Sequence, residues 1–267
     1  MAAAGGVIEG GVVAGPVHEM QEWLRSLGAK RVFLAPLVGG SDLAFRTMCY
    51  ERGVVAAFSP MLYARHAVEN PNYLNLNLDT QPAENVIVQF CANNGDFFAR
   101  AIDKVRLRCR GVDLNLSWTS KRAERGGYGE YLLKNPTQLE SVVRAGVATQ
   151  VPITCKLRLQ ASVAETIATA QRLEAWGVSL LTIEGRTSAQ LDSRRGIANW
   201  EDIAQIRAAV GIPILYNGDL VVREQIEACL AYTGWFVRHP RNPPTFDHTK
   251  AHTATRSLPL TRANLHV

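Results

Sequence analysis

Hydrophobic residues divide the chain into short apolar runs that alternate with longer segments of helical periodicity. The apolar runs are continuous, a pattern typical of strands buried on both faces of a parallel sheet. Seven such strands are predicted, at Arg31–Ala35, Val54–Phe58, Val86–Phe90, Val112–Leu116, Ile153–Leu159, Leu180–Glu184 and Pro213–Asn217. Regular alternation of strands and helices indicates an α/β fold.

The segments between the strands carry apolar residues at helical spacing. Several of them begin with a capping residue, as Asp42 does ahead of Leu43. A short helix is also expected near His18–Ser26, before the first strand. Six further helices are predicted, at Leu43–Arg52, Phe97–Arg108, Pro136–Thr149, Ser162–Trp176, Trp200–Val210 and Arg223–Tyr232.

Seven strand–helix units favour a (β/α)8 barrel of the TIM type over an open doubly wound sheet. An open nucleotide-binding sheet should carry G-x-G-x-x-G after its first strand, and Ala35–Gly40 lacks that spacing. After Gly234 the sequence turns from apolar to Pro, His, Thr and Arg, so the barrel is expected to lack a regular eighth βα unit. We therefore expect a leader with a short helix at residues 1–30, the barrel at 31–234 and a basic, irregular tail at 235–267.

Charge is unevenly distributed along the 267 residues. The chain has 29 Lys and Arg against 24 Asp and Glu, a net charge of +5. Residues 235–267 hold five basic residues and one acidic residue, which leaves only +1 for the rest of the chain. The body of the protein is thus nearly neutral, and the overall basic balance is weak support for a nucleic-acid groove.

Cysteine usage and hydropathy exclude several classes of protein. The five cysteines are scattered and form no C-x-x-C pair, so neither a metal site nor a disulfide framework is expected. No apolar run is long enough to span a bilayer, so no membrane association is expected. The first residues are a poor targeting signal, which makes the cytoplasm the default location. The oligomeric state is not indicated.

Polar and charged side chains lie at the carboxyl ends of the predicted strands, which meet at one mouth of a barrel. Alone, a residue such as Lys156 or Asn217 would more often be structural. Together, amides, a lysine and arginines suit a planar, polar and phosphorylated ligand. The side chains in question are Gln89, Asp113, Asn115, Lys156, Arg158, Glu184, Arg186, Asn217 and Asp219.

Seven segments, taken in order, resemble the tRNA-dihydrouridine synthase family. They are residues 35–46, 58–61, 88–93, 111–116, 156–159, 184–187 and 217–219. The segment around Gln89 and the run Lys121–Gly129 are most similar to the eukaryotic branch that reduces D-loop uridines, the 16/17 type. The resemblance extends over residues 31–234.

This resemblance implies an FMN-containing barrel in which NADPH reduces the flavin and the flavin reduces uridine in tRNA, while a cysteine after the fourth strand protonates C5 of the base. It implies that Lys156 supports negative charge on the flavin. The other cofactor-binding positions it implies are Pro36, Leu37, Val38, Gln89, Glu184, Asn217, Gly218 and Asp219. The positions implied for the substrate uridine or the RNA are Asn115, Lys121, Arg125 and Arg186.

The chain departs from the family pattern at three places. The family has Asn-Leu-Gly-Cys-Pro where this chain has Asn115 to Thr119, so Trp118 occupies the position of the proton-donating cysteine. An indole donates a hydrogen bond but is no acid near neutral pH. Glu184 stands where the family has a flavin-contacting histidine. The glycine-free tail resembles neither the glycine-rich phosphate loop of the eighth strand nor the helical RNA-binding domain that follow in the family.

Three hypotheses remain open at this point. The chain is a divergent synthase that uses another acid or works slowly. Alternatively, it is a catalytically inactive family member that keeps the barrel for contact with RNA or protein. In the third hypothesis it is a truncated or misread gene product, whose last 33 residues are not native barrel sequence.

Overall fold

A computed structural model describes residues 15–28, 32–190, 196–220, 222–233 and 265–266. Its strands form one nine-stranded sheet. They are β1 (Phe33–Leu34), β2 (Ala56–Phe58), β3 (Leu62–Tyr63), β4 (Val86–Cys91), β5 (Gly111–Leu116), β6 (Ile153–Arg158), β7 (Leu180–Glu184), β8 (Ile214–Asn217) and β9 (Leu265–His266). Residues 1–14 and 29–30 of the predicted leader, and residues 235–264 and 267 of the predicted tail, lie outside the described residues.

The strands close into a ring. From β1 the order runs through β2, β4, β5, β6, β7 and β8, and all of these neighbours are parallel. The eighth place is taken by β9, which is antiparallel to both β8 and β1. Strand β3 lies outside the ring beside the end of β4. The predicted α/β barrel of TIM type is therefore confirmed, and in the described part of the chain its eighth place holds an antiparallel strand.

Eleven α-helices are found in the described part of the chain. They are α1 (Pro16–Ser26), α2 (Leu43–Tyr50), α3 (Ala64–Glu69), α4 (Tyr73–Asn77), α5 (Gly95–Val105), α6 (Lys121–Gly126), α7 (Glu130–Leu133), α8 (Pro136–Ala148), α9 (Val163–Ala175), α10 (Trp200–Ala209) and α11 (Arg223–Thr233). None of them is long and apolar enough to cross a membrane.

The sequence analysis located all seven parallel strands and the seven longer helices, but it missed the short elements. These are β3, β9 and the helices α3, α4, α6 and α7, each six residues or fewer. Segments this short do not complete a hydrophobic period, so tertiary contacts decide their conformation. Capping was more predictable, because Asp42 and Ser162 accept hydrogen bonds from the first turns of α2 and α9 as expected.

The helices pack closely around the ring. Between α5 and α8 the contact depends on Gly146, since a Cβ there would lie 2.6 Å from the Phe98 ring. Phe98, Ile102 and Val143 are fully buried in this layer. The strands are buried along almost their whole length, so a polar side chain inside the ring must find its hydrogen-bond partners within the protein.

A buried ion pair fastens α2 to the segment that precedes β4. Arg46 is 0% exposed, and its Nε donates to Oε1 of Glu84 across 2.7 Å. Its Nη1 donates to the carbonyl of Ser41, and the Tyr50 hydroxyl also donates to Glu84. Because both ions are removed from water, each depends on the other for compensation.

Replacing Arg46 with Ala should lower the free energy of unfolding by about 3–5 kcal/mol, since Glu84 would remain buried without its cation. Urea denaturation monitored by circular dichroism measures this. The matched control is R65A, which breaks the solvent-exposed pair of Arg65 and Glu69 and should leave the urea midpoint nearly unchanged. Equal effects of the two substitutions would contradict the assignment.

Candidate functional site at the barrel mouth

A chain of polar side chains crosses the interior of the ring from β6 to β4. Asp113 on β5 accepts a hydrogen bond from the Thr154 hydroxyl at 2.6 Å and another from Nε2 of Gln89 at 2.8 Å. Oε1 of Gln89 in turn accepts from Nδ2 of Asn115 at 3.0 Å. These residues are aligned by strand register, since Gln89 pairs with Asp113 and Asp113 pairs with Thr154. The register of the sheet thus fixes the order of this hydrogen-bonded series of side chains.

Asp113 is the most deeply buried member of this chain. Burial raises the pKa of its carboxyl to about 6, while the hydrogen bonds from Thr154 and Gln89 and the charge of Lys156 act in the opposite direction. Both carboxylate oxygens have donors, so the buried group is satisfied without an adjacent cation. The Gln89 amide is consequently held in one orientation.

Asn115 carries the same chain to the loop that follows β5. Its Oδ1 accepts from the backbone N–H groups of Ser117 and Trp118, at 3.0 and 2.9 Å. The loop conformation at Trp118, which the sequence analysis aligns with the family's proton donor, is therefore coupled through Asn115 and Gln89 to the buried Asp113. Asn115 was expected to contact substrate, and here its side chain is engaged by the protein.

A cluster of charges lies one layer nearer to solvent. Glu184 at the end of β7 accepts from Lys156 Nζ at 3.0 Å and from Arg158 Nη1 at 2.6 Å. Burial of Glu184 raises its pKa, but the charges of Lys156 and Arg158, with the hydrogen bond from Lys156, outweigh this and lower the pKa overall. The carboxylate is thus ionised at neutral pH, and the three side chains together carry one positive charge.

Arg158 connects this cluster to the loop after β5. Its Nε donates to the carbonyl oxygen of Ser117 at 3.2 Å. The backbone at Ser117 and Trp118 is therefore held from two sides. Asn115 accepts hydrogen bonds from both N–H groups, and Arg158 donates to the Ser117 carbonyl.

The end of β8 carries a second ion pair. Arg186, 7% exposed, bonds to Oδ1 of Asp219, whose other oxygen accepts from the backbone N–H of Ala198 at 2.6 Å. Asp219 adopts a positive φ of 55°, and the preceding Gly218 has φ 128°. Asn217 is 7% exposed and faces Glu184 in strand register.

The remaining predicted site residues lie apart from this cluster. Pro36, Leu37 and Val38 follow β1, where the backbone N–H of Leu37 donates to the Ser41 hydroxyl, and Val38 is 77% exposed. Lys121 and Arg125 are exposed on α6. The structure thus brings together Gln89, Asn115, Lys156, Glu184 and Asn217 through paired strands, and leaves the two α6 cations outside the ring.

Three half-buried aromatic rings meet at the rim beside α6. The Tyr63 ring contacts the Trp118 ring edge-to-face, with centroids 5.9 Å apart and planes at 78°. It also contacts the Tyr128 ring, at 6.0 Å and 86°. We call these three residues the aromatic rim.

Gly129 secures Trp118 in this position. It has φ 60°, and a Cβ there would lie 2.8 Å from the Trp118 Cβ and would clash with the Trp118 carbonyl oxygen. The next residue, Glu130, donates its N–H to that carbonyl at 3.2 Å. Only glycine fits this close approach.

Several site residues were not singled out from the sequence. Thr154 and Thr182 lie within apolar strands, and nothing in the sequence pattern distinguishes them. Tyr63 lies in β3, a strand that was not predicted. Among the described residues no group of three His, Cys, Asp or Glu side chains could hold a metal ion.

The fold and this site define a class of protein, a TIM-type barrel with buried polar side chains at the carboxyl ends of its strands. The dihydrouridine synthase (Dus) family model matches residues 33–237. The chain therefore belongs to the dihydrouridine synthase family, in its 16/17-type branch, as the sequence analysis predicted.

Individual relatives agree with this assignment. The chain is 38% identical over 216 residues to the rat tRNA-dihydrouridine(16/17) synthase [NAD(P)(+)]-like protein. The alignment covers 79% of this chain and 49% of the rat protein. It is 30% identical over 220 residues to tRNA-dihydrouridine(16/17) synthase [NAD(P)(+)] of Schizosaccharomyces pombe, covering 80% of this chain and 55% of that protein. The chain thus spans about half the length of these curated relatives.

A solved structure supports the fold alone. A lyase/mutase structure from Burkholderia cenocepacia J2315 aligns with a TM-score of 0.50 at 14% identity. The alignment covers 78% of this chain and 78% of the other.

Asp113 should make the stability of the protein depend on pH. Its pKa is higher in the folded state than in the unfolded chain, so its contribution is fully present below pH 4 and is lost as the pH rises towards 6 and beyond. In D113N this dependence is absent, and the Thr154 hydroxyl can turn to accept a hydrogen bond from the new amide.

We therefore expect the unfolding free energy of the wild type to fall relative to D113N between pH 4 and pH 7, by up to about 3 kcal/mol. Urea titrations at pH 4, 5, 6 and 7 measure the difference. A constant difference across this range would show that Asp113 titrates normally in the folded protein.

Proposed function

We propose that this chain is the barrel portion of an enzyme that reduces uridine to dihydrouridine in tRNA, with FMN as cofactor and NADPH as reductant. The observation that carries the proposal is the ring of buried polar side chains on β4 to β8, in the order that the family motifs occupy. The names of the rat and fission-yeast relatives supply the substrate and the nicotinamide cofactor. We place the reaction in the cytoplasm, where tRNA and NADPH both occur.

The residues at the mouth fit the ring part of a flavin. Lys156 is 6% exposed and has N–H donors beyond the one it gives to Glu184. Gln89 keeps one amide hydrogen beyond the one it gives to Asp113. The buried Thr182 hydroxyl, in register with Lys156, has no hydrogen-bond partner among the described residues. Buried donors without partners suit a ligand rich in acceptors.

The phosphate end of the cofactor would be held less firmly. Phosphate sites in TIM-type barrels are commonly built by the loops after the seventh and eighth strands. Here the seventh parallel strand, β8, leads into Asn217, Gly218 and Asp219, while the eighth place is an antiparallel strand. Arg186 is paired with the Asp219 carboxylate there, so this ion pair offers a phosphate no net positive charge.

When bound, FMN supplies the hydride transfer between NADPH and the uracil ring. The chain's own residues bind and orient. Lys156 would provide positive charge to the bound flavin, and the hydrogen bond from Gln89 to Asp113 holds the Gln89 amide in a single orientation. Glu184 offsets part of that positive charge, because it is ionised between Lys156 and Arg158.

Proton delivery to C5 of the base is the weak step. Trp118 stands at the position of the proton donor, and an indole N–H does not release a proton near neutral pH. Cys91, at the end of β4, is a thiol near the mouth. Burial raises its pKa to about 12. Its thiol is therefore a poor acid, and we expect low turnover.

Trp118 also favours a second candidate function, which is binding without catalysis. A family member without the acid could keep the barrel for binding RNA or protein, and Trp118 is the specific observation behind this alternative. The hypothesis of a truncated or misread gene product concerns residues 235–267, of which only Leu265 and His266 are described. The following assays separate the enzymatic and binding alternatives.

FMN should bind weakly and be lost on desalting, because the phosphate is gripped from one side only. The measurement is flavin absorbance before and after gel filtration, with titration of FMN into the freshly desalted chain. K156M should weaken the titrated affinity further, whereas K104M, an exposed residue in the last turn of α5 near the amino ends of the strands, should not. Stoichiometric FMN that survives purification would contradict this expectation.

Replacing Trp118 with Cys should raise dihydrouridine formation on the order of 10²-fold, since a general acid of this kind contributes about 10²–10⁴-fold. The assay supplies FMN, NADPH and saturating tRNA, and mass spectrometry detects the gain of two hydrogens. W118S is the matched control, because it removes the same bulk without adding a thiol.

If W118S gains as much as W118C, steric hindrance by the indole and not the missing acid limits the reaction. If the wild type forms product efficiently and C91A does not diminish it, the acid lies at neither position. Absence of product from every variant, with FMN shown to bind, would favour the binding function.

A further inference from the structure

Of the aromatic rim, only Trp118 enters the function proposed above, and there it counts only as the residue in place of an acid. Trp118 and Tyr128 both contact Tyr63, and all three rings are half-buried at the carboxyl ends of the strands. We propose that the aromatic rim is a stacking site for one unpaired nucleobase of a single-stranded RNA segment. The proposal deepens the proposed function, since it rests on RNA being the ligand of the barrel.

The indole of Trp118 is positioned before any ligand binds. The backbone N–H of Trp118 donates to Asn115, its carbonyl accepts from Glu130, and Gly129 packs against that carbonyl and the Trp118 Cβ. Within the described part of the chain its Nε1–H makes no hydrogen bond, so this donor remains for a base. A ring that is already fixed loses little conformational entropy when a base stacks on it.

Positive charge lies next to the rim. Helix α6 runs between Trp118 and Tyr128, and it exposes Lys121, Arg122 and Arg125 against the single acid Glu124. None of these three cations forms a salt bridge within the described residues. Cations that lack a protein counter-ion are available to phosphates of an RNA backbone.

Aromatic rings beside uncompensated cations are the combination by which proteins bind single-stranded nucleic acid without reading its sequence. An apolar protein partner would require a larger hydrophobic surface, whereas all the exposed residues of the adjacent α6 are charged. The body of the chain carries a net charge of only +1, so the three α6 cations stand out against a nearly neutral surface. Charge complementarity therefore selects RNA.

The test measures binding of the full chain to a fluorescently labelled 12-nucleotide oligouridine by anisotropy, without FMN or NADPH. Stacking on an aromatic residue is worth enough that W118A and W118L should weaken binding about 5- to 150-fold. W118F, which retains a π-face, should stay within about threefold of the wild type. W118L keeps apolar bulk, so it separates stacking from packing.

Two controls complete the design. A base-free strand of the same length should bind the wild type as weakly as oligouridine binds W118L. The triple variant K121A/R122A/R125A should lower the slope of log affinity against log salt by about 2, as expected for three lost phosphate contacts on a single strand. W176F, at the opposite end of the barrel, controls for non-specific effects of altering a tryptophan.

The proposal is overturned if W118L binds oligouridine as tightly as the wild type, or if the base-free strand binds equally well. Equal binding of the base-free strand would mean that the aromatic rim contacts no base, and a protein would then be the partner to test at this surface. Because the measurement needs neither cofactor nor turnover, stacking with no dihydrouridine formed would reject the proposed enzyme activity while this inference stands.

Discussion

The buried carboxylate of Asp113 is the constraint around which the polar interior is organised. A carboxyl group inside a barrel of apolar strands must find donors, and the Thr154 hydroxyl and the Gln89 amide supply them. Once Gln89 donates to Asp113, its carbonyl must face Asn115. Asn115 then presents its own carbonyl to the backbone that leads to Trp118. One desolvated charge thereby determines the geometry from the centre of the barrel to its rim.

The charges nearer to solvent follow a different rule. Glu184 is paired with two cations, so its ionisation is favoured although it is buried. Asp113 has only neutral donors in direct contact, and burial raises its pKa. Two carboxyl groups of the same site are thus driven in opposite directions by their surroundings. The outer one keeps Lys156 and Arg158 in place, while the inner one orients amides.

Trp118 relates the two proposed roles of the mouth. The loop that holds it is tightly specified, by Asn115, Arg158 and Gly129. A position that the fold controls so closely suits a proton donor, and it equally suits a rigid aromatic surface. On the proposed alignment with the family's proton donor, an indole at this position lacks the acid that a thiol would supply. The same scaffold can therefore favour binding of a base over its reduction.

The sequence by itself determined the alternation of buried strands and helices, the family, and the residues at the strand ends, because continuous apolar runs and capping residues are local signals. It could not reveal that Thr154 satisfies Asp113, that Glu184 lies between Lys156 and Arg158, or that Tyr63 joins Trp118 to Tyr128. These contacts depend on strand register and on elements of two to six residues. Nor could it show that Leu265–His266 fills the eighth place of the ring. Long-range pairing decides such features, since two strands remote in sequence meet only after the sheet has closed.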